Sequence, residues 1–255
     1  MRSLHIDHGN PMNALLDTPF TKCMKELWRI IKKPENIIIL SAHSINETAI
    51  LEINSNPTPP MIYDMYGFPN ELYRVEYPVN NDIRLGITLS EVLWNNWIQN
   101  RFTPNQWIDH GIWSVLIHLF PEGNIPIVPI SLQYHEPTLY HFELGKILAS
   151  NFSDDTLFIS SGNIVHNLRL LDWESSITPH WAHDFDIWIA TLIQTGTYDS
   201  ILNYQSIAWA SESVPIPDHF YPFVTCLGSS EGKLMESVCQ WFELGSISTR
   251  IYKNF

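Results

Sequence analysis

Residues 4–11, LHIDHGNP, pass from an apolar run into a histidine followed by residues that favour a tight turn. Two later stretches repeat this pattern, residues 37–43 (IIILSAH) and residues 157–166 (LFISSGNIVH). Each is typical of a strand that ends close to a histidine. Because ligands gather at the carboxyl ends of strands in an open α/β sheet, histidines from three strands can converge there on one ion. The sequence therefore predicts a metal site at one edge of a sheet.

Composition limits the class of protein further. The chain has 255 residues, 45% of them hydrophobic, which is enough for a substantial core, and we expect one domain over residues 1–255. Its 14 basic and 27 acidic residues give a formal net charge of -13. Such a charge argues against nucleic acid and anionic membrane surfaces as partners. The N-terminus lacks the apolar core of a signal peptide, and residues 112–132 are interrupted by prolines and a charged residue, so we expect neither export nor a membrane span.

Cysteine usage points to a reducing compartment. Cys23, Cys226 and Cys239 are odd in number and form no C-x-x-C pair. We therefore expect neither a disulfide framework nor a zinc knuckle. A reduced, cytoplasmic protein fits this pattern best.

Apolar periodicity alternates between strand and helix along the whole chain. A mixed, mostly parallel sheet flanked by helices is the α/β architecture that this order predicts, with an antiparallel pair at the end. The predicted strands cover residues 4–7, 36–41, 48–53, 125–132, 156–160, 235–244 and 246–252. The predicted helices cover residues 21–33, 81–94, 110–120, 137–150, 181–194 and 218–227.

The chain has eleven histidines, and only some of them are expected to belong to a functional site. His8, His43 and His166 lie just past strand ends, where loops carry binding sites. His110 and His219 open predicted helices, so Asp109 and Asp218 before them can be simple helix caps, or the imidazoles can point into a pocket. The remaining histidines considered lie in strand, polar or helical contexts and are assigned no chemistry: His5, His135, His141, His180 and His183.

Several longer motifs then occur in a characteristic order. They are residues 8–14 (HGNPMNA), 42–43 (AH), 66–69 (YGFP), 109–116 (DHGIWSVL), 141–145 (HFELG), 161–169 (SGNIVHNLR) and 217–220 (PDHF). In this order they resemble the signature segments of the 4,5-DOPA extradiol dioxygenase family. That family belongs to the class III ring-cleaving dioxygenases, which are related to the protocatechuate 4,5-dioxygenase catalytic subunit. The resemblance extends from His8 to residues 245–248 (GSIS), nearly the whole chain.

The resemblance implies roles for five histidines. His8, His43 and His219 match the metal ligands, and His166 matches the acid/base beside the metal, which serves as a fourth ligand in zinc-loaded forms. His110 matches a pocket histidine that handles substrate oxygen or dioxygen. The implied reaction opens the ring of a catechol such as DOPA with O2, after the catecholate chelates the metal and a proton passes to His166. Non-haem Fe(II) is the expected working ion, and Zn(II) is compatible with an all-histidine site in the isolated protein.

Departures from the family pattern concern the substrate. Asn10 stands where serine is usual, Tyr66 replaces a glycine, and residues 44–46 and Tyr63 also differ. We expect substrate contacts from four residues near the motifs: Asn10, Tyr66, Phe68 and Trp113. Neither the preferred catechol nor the oligomeric state follows from the sequence.

Two other functions fit the same residues. The histidines can hold Zn(II) and activate water, because three protein ligands and an open position are the usual catalytic zinc arrangement, which would make the chain a hydrolase. A non-catalytic binding protein on the same scaffold is the other alternative. His110 and His166 argue against it, because metal storage has no need of an acid/base pair.

Overall fold

The computed structural model describes residues 1–173, 177–230 and 232–255. The strands are β1 (Arg2–Asp7), β2 (Asn36–Asn46), β3 (Leu51–Asn54), β4 (Asn100–Thr103), β5 (Ile127–Gln133), β6 (Thr156–Gly162), β7 (Glu236–Glu243) and β8 (Ile247–Lys253). The helices are α1 (Pro19–Ile30), α2 (Ile83–Asn95), α3 (His110–Leu119), α4 (Thr138–Asn151), α5 (His180–Thr195), α6 (Tyr198–Leu202), α7 (Ala210–Ser213) and α8 (Tyr221–Ser229).

The apolar run at residues 37–40 forms the buried middle of β2. Successive side chains of a strand point to opposite faces, so Ile38 and Leu40 pack into one core with α2, α4, α5 and α8. Ile37 and Ile39 pack into a second core with α1 and α3. A strand covered by helices on both faces must be apolar at every position, which explains the unbroken run.

The strands form one eight-stranded sheet in the order β4-β3-β5-β2-β6-β1-β8-β7. Strand β2 pairs in parallel with β5 and β6, and β1 pairs in parallel with β6. The hairpin of β7 and β8 is antiparallel and closes against β1. The predicted α/β class, a mostly parallel mixed sheet flanked by helices, is confirmed.

Several local features of the structure differ from the prediction, and three of them bear on the site or the sheet. Strand β2 continues past residue 41 to Asn46 through an irregularity in its pairing with β5 between Leu40 and Ile45. Strand β4 was not predicted, because its polar sequence NRFT lies at the sheet edge and carries little apolar alternation. Helix α8 begins at Tyr221 rather than at residue 218, which leaves His219 in the turn before it.

The expectation that the cysteines form no disulfide was wrong. Cys23 of α1 and Cys239 of β7 form a disulfide with their Cα atoms 6.5 Å apart, while Cys226 is buried and unpaired. The two partners are 216 residues apart in sequence and meet only because α1 packs against the closing hairpin. Spacing along the chain cannot show such a contact.

Across the described ranges, we find no helix with the length and apolar character needed to cross a bilayer.

Candidate metal centre

The five histidines singled out in the sequence meet at the carboxyl ends of the central strands. His8 follows β1, and its backbone N–H donates to Gly162 O at the end of β6 at 2.9 Å. His43 lies in the irregular part of β2, and β-bulges of this kind occur frequently beside active sites. His110 is the first residue of α3. Beyond β6, the loop that leads to His166 is held against the turn before α8, because Asn163 N donates to His219 O at 2.9 Å.

Distances within this cluster are those of a ligand site. The Nε2 atoms of His8 and His43 lie 3.3 Å apart. The ring of His219 has its centroid 5.3 Å from that of His8 and 4.9 Å from that of His43. His166 stacks on His219 with centroids 3.5 Å apart. The ligand atoms of His8, His43 and His110 all lie within 4.8 Å of one another, and His166, Asp218 and His219 form a second such group.

This grouping differs in one respect from the predicted ligand set. The geometry places His110, rather than His219, in the tightest group with His8 and His43. His219 is nevertheless buried, and its Nε2 has no hydrogen-bond partner within the described ranges. Its Nδ1 lies 3.1 Å from Asp218 Oδ1, but that oxygen accepts from the His219 backbone N–H at 2.7 Å. Buried polar atoms are nearly always paired, so a buried ring nitrogen without a hydrogen-bond partner fits the role of a metal ligand.

Hydrogen bonds on the far side of two rings orient them towards this centre. Ser161 Oγ donates to Gly111 O at 2.6 Å and therefore accepts from His8 Nδ1, 3.0 Å away. His43 Nδ1 lies 3.3 Å from Asp64 Oδ2. A protonated Nδ1 leaves Nε2 with a lone pair, so two lone pairs face each other across 3.3 Å. A tetrahedral ion with bonds of about 2.0–2.1 Å separates its ligands by about 3.4 Å, so the residues fit a divalent metal.

Burial keeps the imidazoles of His8, His43 and His166 neutral. The pKa of His8 lies well below its ordinary value, first because burial disfavours the charged form and then because the other histidines repel a proton. Burial and the same neighbours lower the pKa of His43 and of His166. Neutral imidazoles are the form that binds a metal.

Asp64 is a positioning residue that sequence analysis missed. Its Oδ1 accepts from the His110 backbone N–H at 3.0 Å and from His110 Nδ1 at 2.9 Å, while Oδ2 faces His43. Burial raises the pKa of this carboxyl, but the hydrogen bonds and charge of His110 outweigh burial and bring it below its ordinary value. An anion thus fixes the orientation of two rings at once. The available signal was its place just before the YGFP motif at residues 66–69.

Asp64→Asn is expected to weaken metal binding or turnover by about 10- to 100-fold. The amide keeps the shape of the side chain, but its NH2 group cannot accept from an imidazole N–H, so one of the two rings loses its partner. Chelator competition measures the metal affinity, and Glu71→Gln, an exposed carboxylate-to-amide change seven residues away, is the matched control. Wild-type affinity and turnover in Asp64→Asn would show that Asp64 has no positioning role.

Glu243 is a second residue that the sequence did not reveal. Its carboxylate accepts from Asn10 N and from Asn13 Nδ2, each at 2.9 Å, and so anchors the loop after His8 to β7. Burial raises the pKa of this carboxyl. Gly9 has a φ of +64°, and a Cβ there would lie 2.6 Å from Glu243 Oε2. The loop therefore requires glycine at this position.

Asp109 does not cap α3 through its side chain, although capping was the simpler expectation. Its carboxylate instead accepts from Ser41 Oγ at 2.6 Å and from Ser44 Oγ at 2.8 Å, which ties the start of α3 to the segment that carries His43. Burial, partly offset by these hydroxyls, raises the pKa of Asp109.

The four predicted substrate contacts have different placements. Asn10 is half-buried, and its Oδ1 accepts from Met12 N. Tyr66 is 92% exposed, and Phe68 packs partly against the core on the α1 and α3 side of the sheet. Trp113 is fully buried in that core, with Nε1 donating to Ile62 O, so its placement lends no support to a substrate contact. The other three remain predictions.

The chain is similar to known proteins over nearly its whole length. A family described as "Catalytic LigB subunit of aromatic ring-opening dioxygenase" matches residues 4–252. A protein of Escherichia coli K12 named "4,5-DOPA dioxygenase extradiol" is 33% identical over 254 residues, covering 97% of this chain and 92% of its own. A Beta vulgaris protein of the same name is 31% identical and covers 97% and 94%. A crystal structure of an uncharacterized Escherichia coli K12 protein superposes with a TM-score of 0.85 at 28% identity, over 100% of both chains.

Proposed function

Because the chain belongs to the family of catalytic LigB subunits of aromatic ring-opening dioxygenases, we propose that it opens a catechol such as DOPA with O2 at a non-haem metal. We assign His8, His43 and His219 as the protein ligands, and His166 and His110 as the groups that move protons. The observation that carries this proposal is the pair of Nε2 atoms of His8 and His43, 3.3 Å apart and each backed by a protein oxygen.

Fe(II) is the ion that we propose for activity. Imidazole ligands suit iron and zinc alike, but zinc has no redox chemistry to offer O2. When bound, the metal supplies Lewis-acid and redox chemistry, lowering the pKa of a chelated catechol hydroxyl and bringing catecholate and O2 together.

The side chains around the ion handle the protons. His166 is neutral because burial lowers its pKa, so its ring has a lone pair for the catechol proton, which chelation by the metal would make more acidic. Asp64 Oδ1 accepts a hydrogen bond from His110 Nδ1 at 2.9 Å. The other ring nitrogen, Nε2, is therefore free to exchange a proton with a substrate oxygen. Stacking on His219, with centroids 3.5 Å apart, keeps the His166 ring beside the ligands. Proton acceptor and proton donor thus flank the same centre.

Reconstitution of the metal-free protein under anaerobic conditions tests the proposal. After loading with Fe(II) or Zn(II) and confirming the metal content, L-DOPA and simpler catechols are added in air. We expect one O2 consumed per catechol and a yellow ring-opened product with Fe(II) only. If no catechol is consumed despite confirmed iron, the dioxygenase proposal fails for these substrates and the zinc hydrolase takes its place.

A further inference from the structure

A cavity of about 350 Å³ opens beside the histidine cluster on the β3 side of β2. A volume of this size lies at the lower end of the range of small-molecule sites, about 300–1,000 Å³, and is sufficient for the substituent of a ring bound at the neighbouring metal. His43 forms part of its wall, so the cavity is adjacent to the proposed metal. The residues that line it and matter here are His43, Ser44, Glu52, Gln106, Trp107 and Ser131.

Gln106 lines this cavity with a side-chain amide that has no hydrogen-bond partner among the described residues. Its backbone O accepts from Asn54 Nδ2 at 2.9 Å, which anchors the residue to the end of β3. The side-chain Nε2 and Oε1 are both buried and have no hydrogen-bond partner in the described part of the chain. Buried polar atoms are nearly always paired, so an unpaired donor and acceptor on one cavity wall indicate a ligand with complementary atoms.

Glu52 contributes a carboxylate to the same cavity. Arg101 Nε donates to its Oε1 at 3.0 Å, and the second guanidinium contact goes to the same oxygen. Oε2 is therefore left to accept from a ligand. Ser131 Oγ accepts from Glu52 N at 2.8 Å and from Gln133 Nε2 at 2.7 Å, so its own proton can be donated into the cavity.

These groups place two acceptors and two donors on the cavity wall. Glu52 and the Gln106 carbonyl accept, and the Gln106 amide and Ser131 hydroxyl donate. A ring substituent with an ammonium group satisfies the acceptors, and a neighbouring polar atom satisfies the donors. A substituent whose only charged group is a carboxylate would leave Glu52 Oε2 and the Gln106 carbonyl without a donor.

We propose that this cavity is the specificity subsite for the ring substituent, and that Glu52 and Gln106 select catechols whose substituent carries an ammonium group. The inference rests on the proposed function, because it places the ring at the adjacent metal.

Substrate preference tests the subsite. The measured quantity is the ratio of kcat/KM for dopamine to kcat/KM for 3,4-dihydroxyphenylpropionate, which bear an ammonium and a carboxylate respectively. We expect wild-type protein to favour dopamine, and Glu52→Gln to reduce the ratio by about 10- to 100-fold, the usual effect of losing a hydrogen bond to a charged group. Gln106→Leu is expected to reduce kcat/KM for L-DOPA, whose substituent also carries polar oxygens. Glu47→Gln, an exposed carboxylate on the segment between β2 and β3, is the matched control.

A binding readout separates this inference from the proposed function. Zn(II)-loaded protein is titrated with the same catechols while tryptophan fluorescence is followed, because half-exposed Trp107 lines the cavity. Tighter binding of dopamine that is lost in Glu52→Gln supports the subsite even where no ring is opened. Equal binding of both catechols, or a preference that survives both substitutions, overturns it.

Discussion

His166→Ala is expected to lower turnover of a catechol by about 10²- to 10⁴-fold, the usual contribution of a positioned acid/base, while the protein still binds one metal ion. The reason is that we assign proton transfer to His166 and metal binding to other histidines of the cluster. His166 stacks on His219 rather than completing the close group of His8, His43 and His110. Its loss removes the proton acceptor but leaves the nitrogens that we assign to the metal.

Metal content and turnover, measured on the same samples, check this prediction. His8→Ala should lose both, because it removes one of the two nitrogens that face each other across 3.3 Å. His135→Ala, at an exposed histidine far from the cluster in sequence, should lose neither. If His166→Ala also loses its metal, His166 acts as a ligand rather than as the acid/base alone.

Arg250→Met is expected to lower the free energy of unfolding by about 3–5 kcal/mol, the usual cost of leaving one partner of a buried ion pair alone. Arg250 in β8 and Asp186 in α5 are both almost completely buried. Arg250 Nε donates to Asp186 Oδ1 at 2.8 Å, and its second guanidinium bond goes to Oδ2. Gln240 Nε2 also donates to Oδ2, at 2.9 Å. Without the guanidinium, the carboxylate loses its counter-charge in a site where burial already raises its pKa.

Urea unfolding followed by tryptophan fluorescence measures the change. The double variant Arg250→Met with Asp186→Leu should recover much of the lost stability, because removal of both charges leaves none buried alone. Lys32→Met breaks an exposed pair with Asp155 and should change stability little. Full stability of the single variant would mean that water reaches Asp186 in solution.

The pair also matters for the site. It fastens α5 to the hairpin of β7 and β8, and Glu243 at the end of β7 anchors the loop that follows His8. We therefore expect Arg250→Met to lower the metal affinity as well as the free energy of unfolding.

Local sequence pattern was sufficient to predict most of the sheet and its helices. The unbroken apolar run at residues 37–40 indicated a strand buried on both faces, and the structure places it between β5 and β6. The motif order identified the family, which the family match over residues 4–252 confirms. Strand β4 and the disulfide of Cys23 with Cys239 were missed, because neither has a signature within a short window of sequence.

The sequence by itself determines the position of each histidine relative to its strand, since strand length and turn residues are local properties. The atoms that surround those histidines are decided by the tertiary structure. Asp64 reaches His43 and His110 only because the segment before the YGFP motif folds across the start of α3, and Glu243 reaches the His8 loop from 230 residues or more along the chain. The cavity at Gln106 likewise exists only once β2, β3 and β5 are packed around it. The orientation of the rings, the lowered pKa values of His8, His43 and His166, and the shape of the neighbouring cavity depend on burial and on contacts between distant segments. These contacts arise only when the sheet has assembled.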